Sequence, residues 1–501
     1  MSASREKKKR QEQDVDETPV VETKKGMSKG LKTVLGVVIA LVLVAVIVFF
    51  AMINFGFFES HTTAAVVNGH KLTPAMVNYY YTAAYSNSSE MLSYLTDTSL
   101  PLDEQECAMI EGGTWSDYLM EYALSTASST YAIYDEAIAN GYTLSEDSQA
   151  AIASELKTLD LMAAMYSYGS GDAFLTAQYG RGCNSESYEE FLTVNYIAQE
   201  YANKIYGEFT YTQDELDAYY AENASEFEGY NFRLFTVKAE TVENEADETA
   251  SVTEETMTAA EETAKAMAEA SQGNEQAFID LALENASEED KATYEDEAAT
   301  LNEDLTASSI AESIREWVTD DARVEGDTTY ALNGTEDGYY VLYYIGTADH
   351  TYQLPNVRHI LIGVDDATDT EAKETAKAKA EALLEEFLAG DATEEAFAAL
   401  ANENSTDTGS NTTGGLYENI VPGMMVEAFE NWCYEDHEVG DTGIVESSYG
   451  YHIMYFSGYG KTYESYLAEN AMLEADYSAW TEAVSADASY ELVSDRFVTT
   501  R

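Results

Sequence analysis

Six histidines in 501 residues are few enough to weigh one by one. Two of them, His359 and His452, lie inside the short runs VRHILI and GYHIMYF, where both alternate positions are otherwise apolar. An imidazole near neutral pH can donate, accept or carry a proton. Alone, each reads as a satisfied core histidine; as a pair in one small domain they are more informative. Other familiar chemistries are missing. The chain has no HExxH, GxSxG or GxGxxG motif. Gly460-Lys461-Thr462 ends like a phosphate-binding loop, but Tyr455 stands where that loop needs glycine. Cys107, Cys183 and Cys433 have no CxxC spacing, which excludes a thiolate zinc site. One Cys107–Cys183 bridge or three separate thiols both remain open. The acidic stretch 240–262 lacks the D-x-[DN]-x-[DN]-G pattern of a calcium loop and reads as solvated. No metal and no cofactor is expected.

The two histidine runs belong to an internal repeat. Asn231–Val237 (NFRLFTV) pairs with Asn356–Ile362 (NVRHILI), and Glu261–Ala270 (EETAKAMAEA) with Lys373–Ala382 (KETAKAKAEA). Phe278–Ser287 pairs with Phe397–Thr406, and Gly338–Tyr344 (GYYVLYY) with Gly450–Phe456 (GYHIMYF). Four blocks in one order imply two copies of an α+β domain: strand, helix, helix, variable middle, closing strand. The first copy has Leu234 and Tyr340 where the second has His359 and His452. The fold itself therefore does not require the imidazoles. In the second copy, Ala376, Ala380, Leu383, Leu384 and Phe387 follow the spacing of one buried helix face, and Gly390 ends that helix. The closing strand is apolar on both faces, which predicts a central position in its sheet.

The rest of the chain frames this pair. Residues 64–221 read as mainly helical, opened by an Asn68-Gly69 turn and a Thr73-Pro74 helix start. Thr212 and Glu215 form a capping-box pattern near their end. The tail 462–501 predicts a helix carrying Trp480 and then a strand. Near the N-terminus, Val34–Ile53 is apolar throughout. As a helix it would span about 30 Å, the hydrocarbon thickness of a bilayer. Nine Lys/Arg precede it within the first 33 residues, which predicts a cytoplasmic N-terminus with the bulk of the chain outside. The formal net charge of −66 argues against a nucleic-acid partner, because phosphates would be repelled.

Several separated blocks, Val357–Ile362, Glu403–Gly415, Gly423–Glu430 and Gly443–Met454, resemble the parvulin family of peptidyl-prolyl cis/trans isomerases. The likeness covers about residues 353–458. The wider layout resembles periplasmic and cell-surface foldases of the SurA/PrsA/PpiD type, in which a helical chaperone domain surrounds parvulin modules. The resemblance implies an α+β multidomain fold, to which the apolar run adds a single N-terminal transmembrane helix; PrsA-type members are usually lipid-anchored through a cysteine instead. Its expected parts are a basic cytoplasmic tail (1–33), the membrane helix (34–54) and a helical chaperone domain (62–225). A degenerate parvulin-like module (226–350), a parvulin domain (353–459) and a C-terminal helix and strand completing the chaperone domain (460–501) follow. His359 and His452 resemble the family's paired core histidines. Asp407 falls where the family has Asp or Cys, and Ser447 where a hydroxyl is common. These four carry the expected catalytic role. Met425 and Phe429 match the apolar residues of the proline pocket, with Met424 as adaptable neighbouring contact. The family usually has GGDLG, whereas Gly414-Gly415 here runs directly into Leu416. In the first copy Glu288 sits opposite Asp407 and both histidines are lost, which implies an inactive module.

Isomerisation of an X-Pro bond needs no covalent step. The barrier, roughly 18–20 kcal/mol, comes from amide resonance. An enzyme need only bind the twisted amide better than either planar form. The expected partners are unfolded or newly exported polypeptides containing proline. The alternative is a non-catalytic holdase or surface scaffold with inactive modules.

Overall fold

The computed structural model describes residues 29–54, 56–243 and 250–500. Most of the basic tail expected over 1–33 lies outside these. Two compact units emerge, one ending at Gly207 and rejoined by Ala479–Arg501, the other Glu208–Ser478.

The first unit is mainly helical. Helix α1 (Lys29–Asn54) exposes the apolar side chains of Leu41, Ile47 and Phe50. Among the described residues, no helix is long and apolar enough to cross a membrane. The structure therefore gives the expected transmembrane helix no support; of that stretch, the side chains of residues 34–37, 39 and 53 lie outside those described. A short hairpin, β1 (Ala65–Val67) and β2 (His70–Leu72), turns at Asn68-Gly69. Helix α2 (Pro74–Asn87) starts where Thr73 accepts the Met76 N–H and Pro74 occupies the first turn. Helices α3 (Trp115–Ala139), α4 (Glu146–Met165), α5 (Gly171–Tyr179) and α6 (Ser185–Tyr206) follow, each opened by a Thr, Ser or Asn cap. Their core includes Tyr79, Tyr81, Leu119 and Leu124, all buried. The three cysteines are free and buried.

The second unit opens with α7 (Gln213–Glu222), and the Thr212–Glu215 capping box forms in both directions. Its first module contains β3 (Gly229–Lys238), α8 (Glu254–Ser271), α9 (Glu275–Asn285), β4 (Leu301–Thr306), α10 (Glu312–Val318), β5 (Thr328–Leu332) and β6 (Gly338–Thr347). The next module contains β7 (Gln353–Gly363), α11 (Thr370–Ala389), α12 (Glu394–Asn404), β8 (Leu416–Tyr417), α13 (Glu427–Cys433), β9 (Thr442–Ser447) and β10 (Gly450–Thr462). Both sheets are antiparallel and share one order: β4-β3-β6-β5 and β8-β7-β10-β9. The chain then runs through α14 (Tyr463–Ser485) to β11 (Tyr490–Leu492), which pairs with β1 in the first unit.

Strand β10 sits between β7 and β9, and both faces of this central pair are covered. On one face Ile360, Ile362, Tyr451, Ile453 and Tyr455 pack against Ala376, Ala380 and Phe387 of α11 and Phe397 of α12. Burying each such large apolar side chain contributes about 1.5–3 kcal/mol. On the other face Val357, Met454 and Phe456 pack against Phe429 and Cys433 of α13. The period of two along each strand assigns His359 and His452 to this second face.

Candidate active site

Register brings the two imidazoles together. His359 lies opposite Met454 and His452 opposite Leu361, so the histidines are diagonal neighbours on adjacent strands. Their Nδ1 atoms are 3.1 Å apart, and both rings are buried. His452 Nε2 lies 2.7 Å from Ser447 Oγ, at the end of β9. His359 Nε2 lies 2.8 Å from Asp407 Oδ2.

Asp407 reaches this position because its loop is tied to β7. The Thr406 N–H donates to the Leu361 carbonyl, and the Leu361 N–H donates to Ser405 Oγ. At the far end of the loop the His359 N–H donates to the Gly415 carbonyl. Gly415 has φ +73°, and a Cβ there would lie 2.1 Å from the His359 carbonyl oxygen. Only glycine fits so close a backbone approach. Arg358, ion-paired to Glu394, donates to the carbonyls of Thr413 and Gly414 and holds the loop from outside. Leu416-Tyr417 then pairs directly with Arg358-Val357 as β8, without the aspartate of the family's GGDLG.

The carboxylate settles the tautomers. Asp407 is acceptor-only when ionised, so His359 Nε2 carries the proton that it donates there. His359 Nδ1 then accepts from His452 Nδ1–H, and His452 Nε2 accepts from the Ser447 hydroxyl. Both rings are neutral, and the protons run one way, from Ser447 to Asp407. Burial, opposed by Asp407, pushes the His359 pKa below its ordinary value. Burial and the neighbouring His359 lower that of His452 to about 4. Burial alone would raise the Asp407 pKa, but hydrogen bonds from Ser410, His359, the Gly409 N–H and Tyr417 outweigh it and hold it at about 2.

Apolar side chains close the other side. The Phe429 ring stands nearly perpendicular to both imidazoles, with centroids 5.2 Å from His359 and 5.3 Å from His452. It is only 2% exposed and forms a floor rather than an open wall. Met425, Val426 and Tyr417 are half-buried against the same cluster. Glu430 positions Met425 by accepting the N–H groups of Gly423 and Met425. Met424 is 51% exposed and is not brought to the cluster. His359, His452, Asp407, Ser447, Met425 and Phe429 thus converge.

Sequence reasoning missed Ser410 and Tyr417, whose hydroxyls both donate to Asp407 Oδ2. Ser410 is spaced three residues from Asp407 in a turn, a weak signal. Tyr417 is opposite Val357 and so on the imidazole face, which only the β8 register reveals. In the first module Leu234 lies opposite Leu342, and Tyr340 opposite Thr236. These are the same diagonal positions, filled without imidazoles. Glu288, on which the sequence placed the counterpart of Asp407, is exposed and ion-paired with Lys291.

Residues 340–457 match the model of the PPIC-type PPIase domain. This module is a parvulin domain. Foldase protein PrsA 1 of Listeria innocua is 40% identical over 99 residues, 20% of this chain and 28% of that protein. Foldase protein PrsA 1 of Listeria monocytogenes serotype 4b is 32% identical over 159 residues, 32% of this chain and 46% of that protein. The chain thus spans less than half the length of these curated relatives. A crystal structure of the peptidylprolyl isomerase PrsA from Bacillus cereus aligns with 28% of this chain and 50% of that one, at 29% identity and a TM-score of 0.19.

Proposed function

We propose that this chain is a foldase whose parvulin domain isomerises X-Pro bonds in newly exported polypeptides. One observation carries the reading: a one-directional chain of Ser447, His452, His359 and Asp407 lies against the apolar cluster of Phe429 and Met425. Met425 offers the proline ring an apolar contact, and Phe429 supports it from below. An apolar surround favours the twisted amide, which has lost its resonance and with it part of its polarity. Asp407 is poorly suited to attack the substrate, since four donors occupy it. Its role is to orient His359, and through it His452 and Ser447. The test is isomerisation of a proline tetrapeptide, coupled to proteolysis of the trans form, by the full chain and by His452→Ala. Equal, negligible rates for both would end the enzymatic reading.

A holding function for unfolded chains is supported by the first unit. Leu161, Met162, Met165 and Tyr166 are exposed together at the end of α4, and flexible Met-rich surfaces adapt to varied apolar segments. Suppression of client aggregation by His452→Ala tests it separately from catalysis. A membrane anchor at residues 34–54, with a cytoplasmic N-terminus, rests on the unbroken apolar run of the sequence and the exposed apolar side chains of α1. Partition of the full chain into vesicles, lost on deleting that run, tests the anchor.

A further inference from the structure

The isomerase reading leaves one question open at the site: what keeps the proton chain running in a single direction. A buried carboxyl beside an imidazole has two arrangements, which differ by one bound proton. In one a carboxylate accepts from N–H; in the other a carboxylic acid donates to a bare ring nitrogen. The second arrangement would reverse every proton as far as Ser447.

Resting on that reading, we propose that Tyr417, acting with Ser410, is a positioning residue that selects the first arrangement. The Tyr417 Oη is 3.0 Å from Asp407 Oδ2, and the Ser410 hydroxyl donates to the same oxygen. The two hydroxyls also lie against each other, and each proton pointed at Oδ2 excludes a proton on it. The Gly409 N–H takes Oδ1 in the same way, at 3.0 Å. Ser410 acts twice. Its oxygen also lies 3.2 Å from His359 Nε2. Since its proton is committed to Asp407, it shows Nε2 a lone pair, which again requires that nitrogen to be protonated. Ser410 is 1% exposed, so its hydroxyl is shielded from bulk water.

The Tyr417 ring adds a second function. Its centroid is 5.5 Å from that of His359, and the ring packs with Phe429 and Met425 in the apolar cluster. One side chain therefore packs on the apolar cluster and pins the carboxylate. The groups that face Asp407 are His359 from β7, His452 beyond it on β10, and Tyr417 from β8. Arg358 is spent on Glu394 and on the loop carbonyls.

The test uses the full chain with ¹⁵N-labelled histidine. Ring nitrogens report the tautomer directly, and His359→Gln and His452→Gln identify the two signals among six histidines. In the wild type, His359 is expected as the Nε2–H form and His452 as the Nδ1–H form. In Tyr417→Phe combined with Ser410→Ala, both signals move toward the opposite or an averaged tautomer. kcat falls about tenfold, the scale of one hydrogen bond to a charged group, while KM stays within about twofold because the ring is kept. If the double variant keeps near-UV circular dichroism, tautomers and kcat unchanged, the proposal is wrong and Tyr417 is only a wall. Should the double variant not fold, Tyr417→Phe alone decides by the same two readouts. A wild type without isomerase activity whose tautomers still change in the double variant sinks the isomerase reading and leaves the positioning role intact. Full activity with unmoved tautomers does the reverse.

Discussion

Replacing His452 with glutamine should blunt the response of the parvulin domain to acid. In the native chain the His452 ring is buried beside His359, and its pKa falls from the ordinary 6.5 to about 4. A group whose folded pKa lies below its unfolded value stabilises fully above the unfolded value. That contribution is lost as pH falls, because the unfolded ring takes a proton that the native ring refuses. The loss begins near pH 6.5 and levels off near pH 4, where the native ring protonates as well. A depression of roughly 2.5 units at about 1.36 kcal/mol per unit gives about 3 kcal/mol. Glutamine keeps a polar side chain without the titration. Urea unfolding of both chains, followed by Trp432 emission with the other tryptophans replaced by phenylalanine, measures the difference at pH 7, 6, 5 and 4. Trp432 packs on the same apolar cluster as Phe429 and reports this module. The wild type should lose about 3 kcal/mol more than His452→Gln between pH 7 and pH 4. Parallel acid slopes would mean that the ring is not held neutral by burial, and the tautomer chain derived from that neutrality would fall with it.

Other substitutions separate structure from function. Phe429→Ala should cost about 3–5 kcal/mol of stability in urea, as for other fully buried aromatic rings. A cost near zero would show the ring to be an open pocket wall rather than a floor. Met425→Ala should raise KM for a proline peptide several-fold, whereas the neighbouring exposed Met424→Ala should leave it within about twofold; equal effects would contradict the placement of the two side chains. Gly415→Ala should abolish isomerisation and lower the thermal midpoint, since its Cβ would collide with the His359 carbonyl. Near-normal melting of that variant would refute the close approach.

The histidine pair was legible because it broke a local pattern. His359 and His452 interrupt apolar runs whose first-copy counterparts are Leu234 and Tyr340, and two matched blocks imply two neighbouring strands. Asp407, Ser447 and Met425 came only from family resemblance, since nothing in their spacing points to the imidazoles. Ser410 and Tyr417 were hidden because their positions follow from loop closure. The Gly415 approach to His359 and the pairing of Tyr417 with Val357 set where those hydroxyls land. The depth of Phe429 was hidden too. Its apolar character suits a pocket wall and a core floor equally, and only packing against Met454 and Phe456 distinguishes them. The Thr212–Glu215 box, by contrast, is local and was readable without any tertiary context.

The three-stranded sheet of the first unit joins Ala65 to Leu492, so both modules of the second unit lie between two hydrogen-bonded neighbours. Closing so long a loop carries a large entropic penalty unless the intervening modules have already contracted. A ribosome releases β1 long before β11. Until then the β1 edge stays unsatisfied, and a prematurely terminated product would carry that open edge permanently. Quality-control proteases would meet such fragments with an unpaired strand on offer, whereas the finished molecule hides it.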